Sequence, residues 1–496
     1  HQIKAVGTIL SIEENFPDKN VVEVFVSKRR KNVEMPSLLT LGNTTPPQVH
    51  QHDQALNKFL EDYILNDGKN YKSIMDMLER KCPDIKDIKS GSKLINEDEE
   101  LISQSTEIVK NLNNSYLTIQ GPPGTGKTYS SANIIIELMK AGKKVGVTSN
   151  SHEAIKTLLI AIEKQAVDQN FDFNGMRKAR SSDKYDWKFI QDITTGKPLN
   201  FSDYSLYAGT SWFFVDPRMN KSLDYLFIDE AGQVALGTTI ANATAAKNLV
   251  LIGDQMQLSQ PMRAKHEGYA KLSSLDFILE DNDTIPADKG MFLNITRRLN
   301  NKICNYISTS FYDSRLSPDP ITETRSVNLK LDPIKDEGLF YVPIEHSGCS
   351  QRSDEEADLV EKTYNKIIGK EFKSGKTKGK ISAKDIMVVA PYNAQANNIR
   401  ERLKKKFKND VRVGTIDLFQ GQEAKVVLIS MTTSDVESLP RHKDFFFSRN
   451  RLNVAISRAE CVAIIIFNEN LLLASTNSIK EMKLMNSFCK LLKFKT

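Results

Sequence analysis

The feature that most constrains this 496-residue chain is a glycine-rich octapeptide that directly follows an apolar run. It has the spacing GxxxxGK[ST] and leads into a stretch with helical apolar spacing, which is the setting of a phosphate-binding P-loop. Its residues are Gly121, Pro122, Pro123, Gly124, Thr125, Gly126, Lys127 and Thr128. In such a loop the backbone N–H groups curl around phosphate oxygens, Lys127 neutralises the β and γ phosphates, and Thr128 ligates magnesium. The sequence therefore predicts a site for ATP and Mg²⁺.

A pair of carboxylates follows another apolar run. Asp229 and Glu230 come directly after Tyr225 to Ile228, so both should emerge at the carboxyl end of a parallel sheet, where the P-loop also opens. We expect Asp229 to hold the magnesium ion through water. Glu230 would orient and deprotonate the attacking water, because phosphoryl transfer depends on positioning and charge compensation.

Short apolar runs alternate with helical stretches in two parts of the chain, which predicts parallel sheets covered by helices on both faces. The runs are 116–119, 144–148, 225–228 and 249–252, then 386–390, 411–415, 425–430 and 462–467. The polar stretch 281–289 separates the two groups. The chain is therefore expected to be an α/β protein with two sheets.

Composition limits the class of protein. With 40% hydrophobic and 26% charged residues the chain is an ordinary globular protein, and its apolar runs are too short to span a membrane. Its length favours several domains. Five scattered cysteines without a CxxC pair argue against a disulfide framework or a zinc ribbon and indicate a reducing, intracellular compartment. The net charge of +6 permits a basic groove without showing one.

The region before the P-loop carries little chemistry. Two β-rich runs, 5–12 and 21–27, flank a turn-prone segment and predict a hairpin, and residues 48–112 have the apolar spacing of packing helices. The chain begins with neither Met nor a signal-like stretch, so we expect it to be a fragment of a longer protein. The lysine-rich segment 370–380 is expected to be an exposed loop.

Six further segments, read in order with the P-loop, resemble the motifs of superfamily-one helicases. They are 229–233 (DEAGQ), 253–258 (GDQMQL), 293–298 (LNITRR), 389–395 (VAPYNAQ), 413–423 (VGTIDLFQGQE) and 453–459 (NVAISRA). The resemblance is to the branch of the nonsense-mediated-decay helicase and the Dna-two-like nuclease–helicases, and in particular to the helicase part of bacterial RecB-nuclease fusions. It implies two tandem RecA-like domains with parallel sheets, preceded by a small β element and a helical stalk.

The resemblance also implies domain boundaries. Residues 1–100 would be the β-barrel-like and stalk region, 101–288 the first RecA-like domain, and 289–496 the second. In this branch a helical insertion that touches nucleic acid occupies the place of residues 161–203, which are made basic by Arg177, Lys178 and Arg180.

The resemblance assigns catalytic roles around the γ-phosphate. Gln257 would sense that phosphate, Arg298 would contact it, and Arg458 would be the arginine finger that stabilises charge developing in the transfer. Gly421 and Glu423 would contact the sugar or phosphates of the nucleotide.

Two residues are placed beside the adenine. Gln104 lies at the spacing of the glutamine that reads the adenine edge, although a glutamine on a helix is often only a polar surface residue. Arg297 occupies the place of the usual aromatic residue, and its guanidinium plane can stack on a base.

Nucleic-acid contacts are expected after strands in both sheets, on the phosphate backbone. The candidates are Thr148, Ser149, Asn150, Thr210, Ser211, Pro391, Tyr392, Thr415 and Gln420. The hydroxyl residues have an alternative reading as helix N-caps, and Tyr392 has one as a core residue.

The expected function is an ATP-dependent helicase or translocase on single-stranded DNA that moves 5′ to 3′, with a nuclease domain or subunit outside this chain as a partner and no membrane association. An RNA helicase of the decay type is the close alternative, because grips on the backbone largely ignore the 2′-hydroxyl. An ATP-gated clamp without unwinding is another. A small-substrate kinase conflicts with the segments from 389 to 459.

Overall fold

The described residues of this computed structural model fall into two compact units, divided after residue 50. They are 8–13, 21–25, 49–96, 99–180, 183–194, 204–260, 266–375, 377–407, 410–419, 421–434, 437, 439, 443–476 and 478–493. In the first unit, β1 (Thr8–Glu13) pairs antiparallel with β2 (Val21–Phe25), which confirms the two strands of the expected hairpin. The turn between them lies outside the described residues.

The described residues between 49 and 112 contain three α-helices, as their apolar spacing predicts, with turns and loops between the second and the third. They are α1 (His50–Asn66), α2 (Lys72–Leu78) and α3 (Leu101–Lys110). The side chain of Glu100 accepts hydrogen bonds from the backbone N–H groups of Ile102 and Ser103, so it caps α3. Helix α3 ends just before the strand that carries the P-loop.

The first large sheet holds the P-loop. Its described strands are β3 (Tyr116–Gln120), β4 (Val145–Thr148), β5 (Gly175–Lys178), β6 (Ile190–Ile193), β7 (Leu206–Ala208), β8 (Leu223–Ile228), β9 (Ala246–Gly253) and β10 (Gly290–Phe292). All neighbours are parallel, in the order β10-β3-β9-β8-β4-β7-β5-β6. The associated helices are α4 (Lys127–Lys140), α5 (His152–Asp168), α6 (Ser211–Phe214), α7 (Leu236–Ala243) and α8 (Ser274–Leu279).

Both faces of this sheet are buried, which explains why its strands are continuous apolar runs. In β8, Tyr225 and Phe227 pack on one face with side chains of α4 and α5, while Leu226 and Ile228 pack on the other with α2, α7 and α8. The alternation follows from the two-residue period of a strand.

The second large sheet is also parallel. Its described strands are β14 (Gly338–Pro343), β17 (Ile386–Val389), β18 (Arg412–Gly414), β19 (Ala424–Ser430) and β20 (Ala459–Phe467), in the order β14-β20-β19-β17-β18. Shorter strands are β11 (Ile295–Thr296), β12 (Ser317–Pro318), β13 (Ser326–Val327), β15 (Glu371–Ser374) and β16 (Thr377–Lys380). The helices are α9 (Asn301–Phe311), α10 (Asp354–Ile367), α11 (Asn393–Phe407), α12 (Lys443–Phe446), α13 (Arg449–Ser457) and α14 (Ile479–Lys493).

One apolar cluster contains side chains from both large sheets. It includes Ile228 and Leu251 of the first sheet, Val427 and Ile465 of the second, and buried residues of α9 such as Ile307. The two sheets therefore share a continuous core. The architecture is the pair of parallel α/β sheets that the alternating pattern predicted, arranged as the two RecA-like units that the resemblance implied. None of the described helices is both long and apolar enough to cross a membrane.

The structure differs from the expected domain plan at two places. Strand β10 pairs with β3, so residues 290–292 belong to the first sheet although they follow the expected boundary at 288. The segment 161–203 was expected to be a helical insertion, but its described residues contain the end of α5 and the strands β5 and β6, which extend the sheet.

Two expectations about charged segments also change. Arg177 was counted as part of a basic surface, but its side chain is only 1% exposed, and its Nε lies 2.6 Å from Oδ1 of Asp192. It therefore forms an internal ion pair and is not part of a basic surface. The segment 370–380 was expected to be a loop and instead forms the antiparallel strands β15 and β16.

Candidate nucleotide and nucleic-acid sites

The P-loop joins β3 to α4. Gly124 and Gly126 have positive φ angles of 75° and 83°, a conformation that suits glycine because it has no Cβ. Helix α4 begins at Lys127, whose ammonium group donates to the carbonyl oxygen of Gly121 at 2.6 Å and so stays folded over the loop. The N–H groups at the start of α4 and the lysine together form an anion site.

Asp229 and Glu230 lie at the carboxyl end of β8, separated from β3 only by β9. Burial and the neighbouring Glu230 carboxylate raise the pKa of Asp229 to about 7, against the opposing effect of Lys127. A buried carboxylate of this kind gains from a cation, and one or two carboxylates with phosphate oxygens suit Mg²⁺. The donor set therefore fits a magnesium ion. Glu230 itself has a positive φ of 55°, which is uncommon for a residue with a side chain.

A buried polar network connects the loop after β9 to the second sheet. Tyr312 donates its hydroxyl proton to Oδ2 of Asp254 at 2.6 Å, and Nδ2 of Asn453 donates to the Tyr312 hydroxyl oxygen at 2.8 Å. The Nε2 group of Gln257 donates to the same Asp254 carboxylate at 2.8 Å. Burial is the main cause that raises the pKa of Asp254. The candidate γ-phosphate sensor, Gln257, is thus tied through Asp254 and Tyr312 to Asn453 of α13.

Further contacts of α13 reinforce this connection. Asn450 donates through Nδ2 to the carbonyl oxygen of Gln255 at 2.6 Å. The Arg449 guanidinium holds both carboxylate oxygens of Asp283, at 3.1 and 2.7 Å. Sequence reasoning missed Tyr312, Arg449 and Asn450 as parts of the site, although the last two lie only four and three residues before the recognised motif at 453–459.

The segment that carries Arg298 lies directly against the P-loop. Two residues before Arg298, the hydroxyl of Thr296 donates to the carbonyl oxygen of Pro123 at 2.8 Å. The backbone N–H of Arg297 donates to the carbonyl oxygen of Gly124, also at 2.8 Å. The Nε atom of Arg298 lies 2.6 Å from Oε2 of Glu423. The segment 296–298 is therefore packed directly on the phosphate loop.

Arg458 is the more buried of the two arginines. Burial, and then the nearby Arg298 charge, lower its pKa to about 10, while Glu230 and Glu423 oppose the change. Its Nη1 donates to the carbonyl oxygen of Gln422 at 3.1 Å, and its buried Nε has no hydrogen-bond partner among the described residues. The structure thus brings Arg298, Arg458, Glu230 and Glu423 together, as the motifs predicted.

The residues expected beside the adenine lie at the start of α3. Gln104 exchanges two hydrogen bonds with the backbone of Asn96, at 2.8 and 2.9 Å, so its amide group is already satisfied. The pKa of Glu100 is lowered chiefly by hydrogen bonds from Ser103 and also by Arg297, which places the Arg297 charge near this helix. Arg297 is 58% exposed and lies 3.2 Å from Asp319.

The first-sheet candidates for nucleic-acid contact follow β4 and β7, as expected. Thr148 and Ser149 are 2% and 4% exposed, so mainly their backbone is available in this arrangement. The Asn150 side chain donates to the carbonyl oxygen of Gln233. Thr210 and Ser211 are half-buried at the start of α6. In the strand order, β3 and β4 are three spacings apart, or about 14 Å, so these groups lie beside the phosphate site without overlapping it.

In the second sheet, Pro391 and Thr415 follow β17 and β18, while Gln420 lies outside the described residues. Tyr392 is 6% exposed and stacks against Phe445 and Phe446, with ring centroids 6.2 and 6.5 Å away. This burial favours the alternative of core packing. Pro391 and Thr415 line a cavity of about 290 Å³ with Phe445 and other residues.

Sequence reasoning also missed Phe445 and Arg451 in this cavity. The Arg451 guanidinium carbon lies 4.2 Å from the centroid of the Phe445 ring, and the same side chain pairs with Asp417 at 3.1 Å. The run of three phenylalanines at 445–447, just before a recognised motif, was the available signal.

The direction of the second sheet separates two sets of candidates. Glu423 and Arg458 directly precede β19 and β20, so they lie at the amino ends of the strands, whereas Pro391 and Thr415 lie at the carboxyl ends. A strand as long as β19 separates its ends by about 20 Å. The site is therefore that of a two-domain P-loop ATPase, with one edge of the second sheet facing the nucleotide and the other facing away.

Comparison with known proteins agrees with this class. Family models described as "AAA domain" match residues 103–266 and 273–470. The DNA polymerase alpha-associated DNA helicase A of Schizosaccharomyces pombe is 25% identical over 453 residues, covering 78% of this chain and 65% of the relative. A regulator of nonsense transcripts 1 homolog of Neurospora crassa is 24% identical over 525 residues, covering 95% and 46%.

A further relative is the DNA replication ATP-dependent helicase/nuclease dna2 of Schizosaccharomyces pombe, 23% identical over 410 residues, with 74% of this chain and 27% of the relative covered. The chain spans about two thirds or less of the length of these three relatives. Together with the ordered motifs, the comparisons show two successive AAA-type helicase domains. The chain is similar to superfamily-one helicases, in the branch of the nonsense-transcript regulators and the Dna2-type helicases.

We predict that Tyr312→Phe lowers the free energy of unfolding by about 1–3 kcal/mol, because the change removes a buried hydroxyl that serves both Asp254 and Asn453. Urea denaturation measures the effect. Tyr63→Phe is the matched control, since Tyr63 is 52% exposed and its change should stay within about 0.5 kcal/mol. Equal stabilities of the two variants would contradict the proposed importance of this network.

Proposed function

We propose that this chain is an ATP-hydrolysing motor that moves 5′ to 3′ along single-stranded DNA and separates strands. The observation that carries the proposal is that Arg298 packs on Gly124 of the P-loop while the charge of Arg458 lies near Arg298 and Glu230, because a nucleotide bound there would contact both RecA-like units at once. Binding and loss of the γ-phosphate would then change how the units are held together.

The first RecA-like unit supplies the hydrolytic groups. Lys127 would neutralise the β and γ phosphates, and Thr128 and Asp229 would hold the magnesium ion, which compensates phosphate charge when bound. Glu230 lies beside Asp229 and would orient the attacking water and take its proton. Gln257, held by Asp254, would face the γ-phosphate.

The second RecA-like unit supplies positive charge that would compensate the negative charge developing on the phosphate during hydrolysis. Arg458 has a buried Nε without a partner among the described residues, so a phosphate oxygen would satisfy a donor that is otherwise costly to bury. Arg298 is paired with Glu423, and the approach of a γ-phosphate would offer it a second anion. Gly421 and Glu423 would lie along the sugar and phosphates, with Arg297 and Gln104 on the side of the base.

Hydrolysis would be transmitted to the nucleic acid through the second sheet. Its amino ends carry Arg458 and Glu423, and its carboxyl ends carry Pro391 and Thr415 about 20 Å away. A rotation of this unit about the nucleotide would therefore shift the second grip relative to Thr210, Ser211 and the backbone at Thr148 to Asn150. Each cycle moves one grip past the other.

DNA is the preferred polymer because two of the three relatives described above are named for DNA: a DNA helicase and a DNA replication helicase/nuclease. The third is named as a regulator of nonsense transcripts, which makes RNA the alternative to be tested.

The first test is the steady-state ATPase rate without polymer, with single-stranded DNA and with single-stranded RNA, at one low salt concentration because phosphate contacts are salt-sensitive. We expect stimulation by DNA and a loss on the order of 100-fold or more in Lys127→Ala, since a charge aimed at the phosphates is removed. Lys140→Ala, at the other end of α4, is the matched control and should keep the wild-type rate. Stimulation by RNA alone would move the assignment to RNA, and indifference to both polymers would refute a motor.

Arg458→Ala should lower kcat by about 10³-fold while nucleotide binding, measured with a fluorescent ATP analogue, is retained, because an arginine finger acts on charge that develops during transfer. Arg352→Ala is the control, since Arg352 is 59% exposed and lies on the outside of the second unit. A variant that loses binding and kcat in equal measure would show that Arg458 has a structural role instead.

Strand displacement separates a motor from an ATP-gated clamp. We expect ATP-dependent unwinding of a DNA duplex with a 5′ single-stranded overhang and none of the same duplex with a 3′ overhang. DNA-stimulated hydrolysis without displacement of either substrate would support the clamp. Unwinding from the 3′ overhang alone would reverse the proposed direction.

A further inference from the structure

Trp212 is exposed at the carboxyl end of the first sheet. It follows Thr210 and Ser211 on α6, directly after β7, and 44% of its surface is accessible. Tryptophan is highly buried on average, so an accessible indole of this extent calls for a physical reason. Phe213 and Phe214, the next two residues, are buried and anchor this short helix in the core.

Helix α1, which lies far earlier in the chain, packs against the indole through His52. The rings of His52 and Trp212 meet edge to face, with centroids 4.4 Å apart and an interplanar angle of 86°. Nε2 of His52 lies 2.6 Å from the Ser211 hydroxyl, which in turn donates to Oδ1 of Asn242 at 2.8 Å. This hydrogen-bond pattern assigns the imidazole proton to Nε2.

The residues beneath Ser211 and Trp212 are closely packed. Ala55 of α1 packs with Val215 and Ala241 in a small apolar cluster, and Asn242 is 1% exposed on α7. Burial lowers the pKa of His52, so its ring is neutral at pH 7. The polar groups at the end of β7 are therefore fixed with an aromatic face beside them.

We propose that Trp212 is a stacking platform for a nucleobase of the bound single strand and that His52 is its positioning residue. The proposal rests on the proposed function and extends it. Thr210 and Ser211 lie at the expected phosphate contacts, so the base of the same nucleotide falls within reach of the adjacent indole. Stacking on an aromatic ring tolerates any base, as a translocating motor requires.

The position favours nucleic acid over a protein partner. An aromatic anchor for a protein is usually surrounded by apolar surface, whereas the residues preceding Trp212 are the hydroxyl residues Thr210 and Ser211. The indole also stands at the carboxyl ends of β4 and β7, the edge at which parallel sheets of this kind bind their ligands.

The chain offers a direct optical test, because it contains two tryptophans, Trp187 and Trp212. Trp187 lies between β5 and β6 in the sequence, and its Nε1 donates to Asp192 at 3.1 Å. In a Trp187→Phe variant the tryptophan fluorescence comes from Trp212 alone. We expect saturable quenching on titration with oligothymidylate, and no such change in a Trp212→Phe variant that keeps Trp187.

Affinity for a labelled oligothymidylate, measured by fluorescence anisotropy, gives the second readout. Trp212→Ala should weaken binding by roughly 5- to 150-fold, the range that corresponds to loss of one stacked base. Trp212→Phe should retain most of the affinity because an aromatic face remains. Tyr63→Ala is the control, since Tyr63 is 52% exposed on α1, about three turns along the helix from His52, and the variant should bind as the wild type does.

The role of His52 is tested as that of a positioning residue. His52→Ala should raise the DNA concentration for half-maximal ATPase stimulation with little change in the maximal rate, and it should lower the steady-state anisotropy of Trp212 emission in the Trp187→Phe background. His52→Gln keeps a side-chain donor to Ser211 and should restore part of both properties.

The outcomes distinguish this proposal from the one on which it rests. If the wild type neither binds oligothymidylate nor responds to it, the proposed function on DNA fails, and stacking with it. If the wild type binds and is stimulated while Trp212 emission stays constant and Trp212→Ala binds equally well, the motor stands and the platform is refuted. The emission measurement leaves Trp212 intact, so poor folding of Trp212→Ala does not decide the result.

Discussion

The hydrogen-bonded chain from Asp254 through Tyr312 to Asn453 is the contact on which the rest of the site depends. Asp254 follows β9 of the first sheet, and Asn453 belongs to α13 beside the second. All three residues are almost completely buried, so each polar group would be costly to leave without its partner. Because Gln257 donates to the same carboxylate, the network that links the two sheets also holds the candidate phosphate sensor in place.

This arrangement explains how phosphate binding at the P-loop would act on residues at the carboxyl ends of the second sheet. The core cluster that contains side chains of both sheets is apolar and tolerates little change in volume, whereas the polar contacts around the nucleotide are directional and can be exchanged. In the proposed cycle the phosphate would compete for Arg298 and Arg458, while α13 stays tied to the loop after β9. In this cycle the second sheet would move as a body, and its carboxyl ends would move with it.

Much of this organisation could be predicted because it is local. The P-loop, the carboxylates after β8 and the arginine before β20 each lie in a short segment whose spacing specifies its structure. The contacts of His52, Tyr312 and Phe445 join distant parts of the chain, and no local sequence pattern predicts them. Arg177 was misjudged for the same reason, since its basic appearance in sequence conceals an ion pair with Asp192. Tyr392 shows the limit of a motif, which places a residue at a strand end without determining its burial.

The backbone at Glu230 shows how closely the catalytic and structural demands are linked. Its positive φ is imposed where β8 ends, and the chain then passes so close to the loop after β9 that a Cβ on Gly232 would lie 2.9 Å from the carbonyl oxygen of Asp254. That approach brings the candidate base beside the residue that anchors Gln257. The strain at Glu230 persists because surrounding packing fixes both loops. A side chain at position 232 would push the two loops apart, so the glycine sets the distance between Glu230, the candidate base, and the network that connects the two sheets.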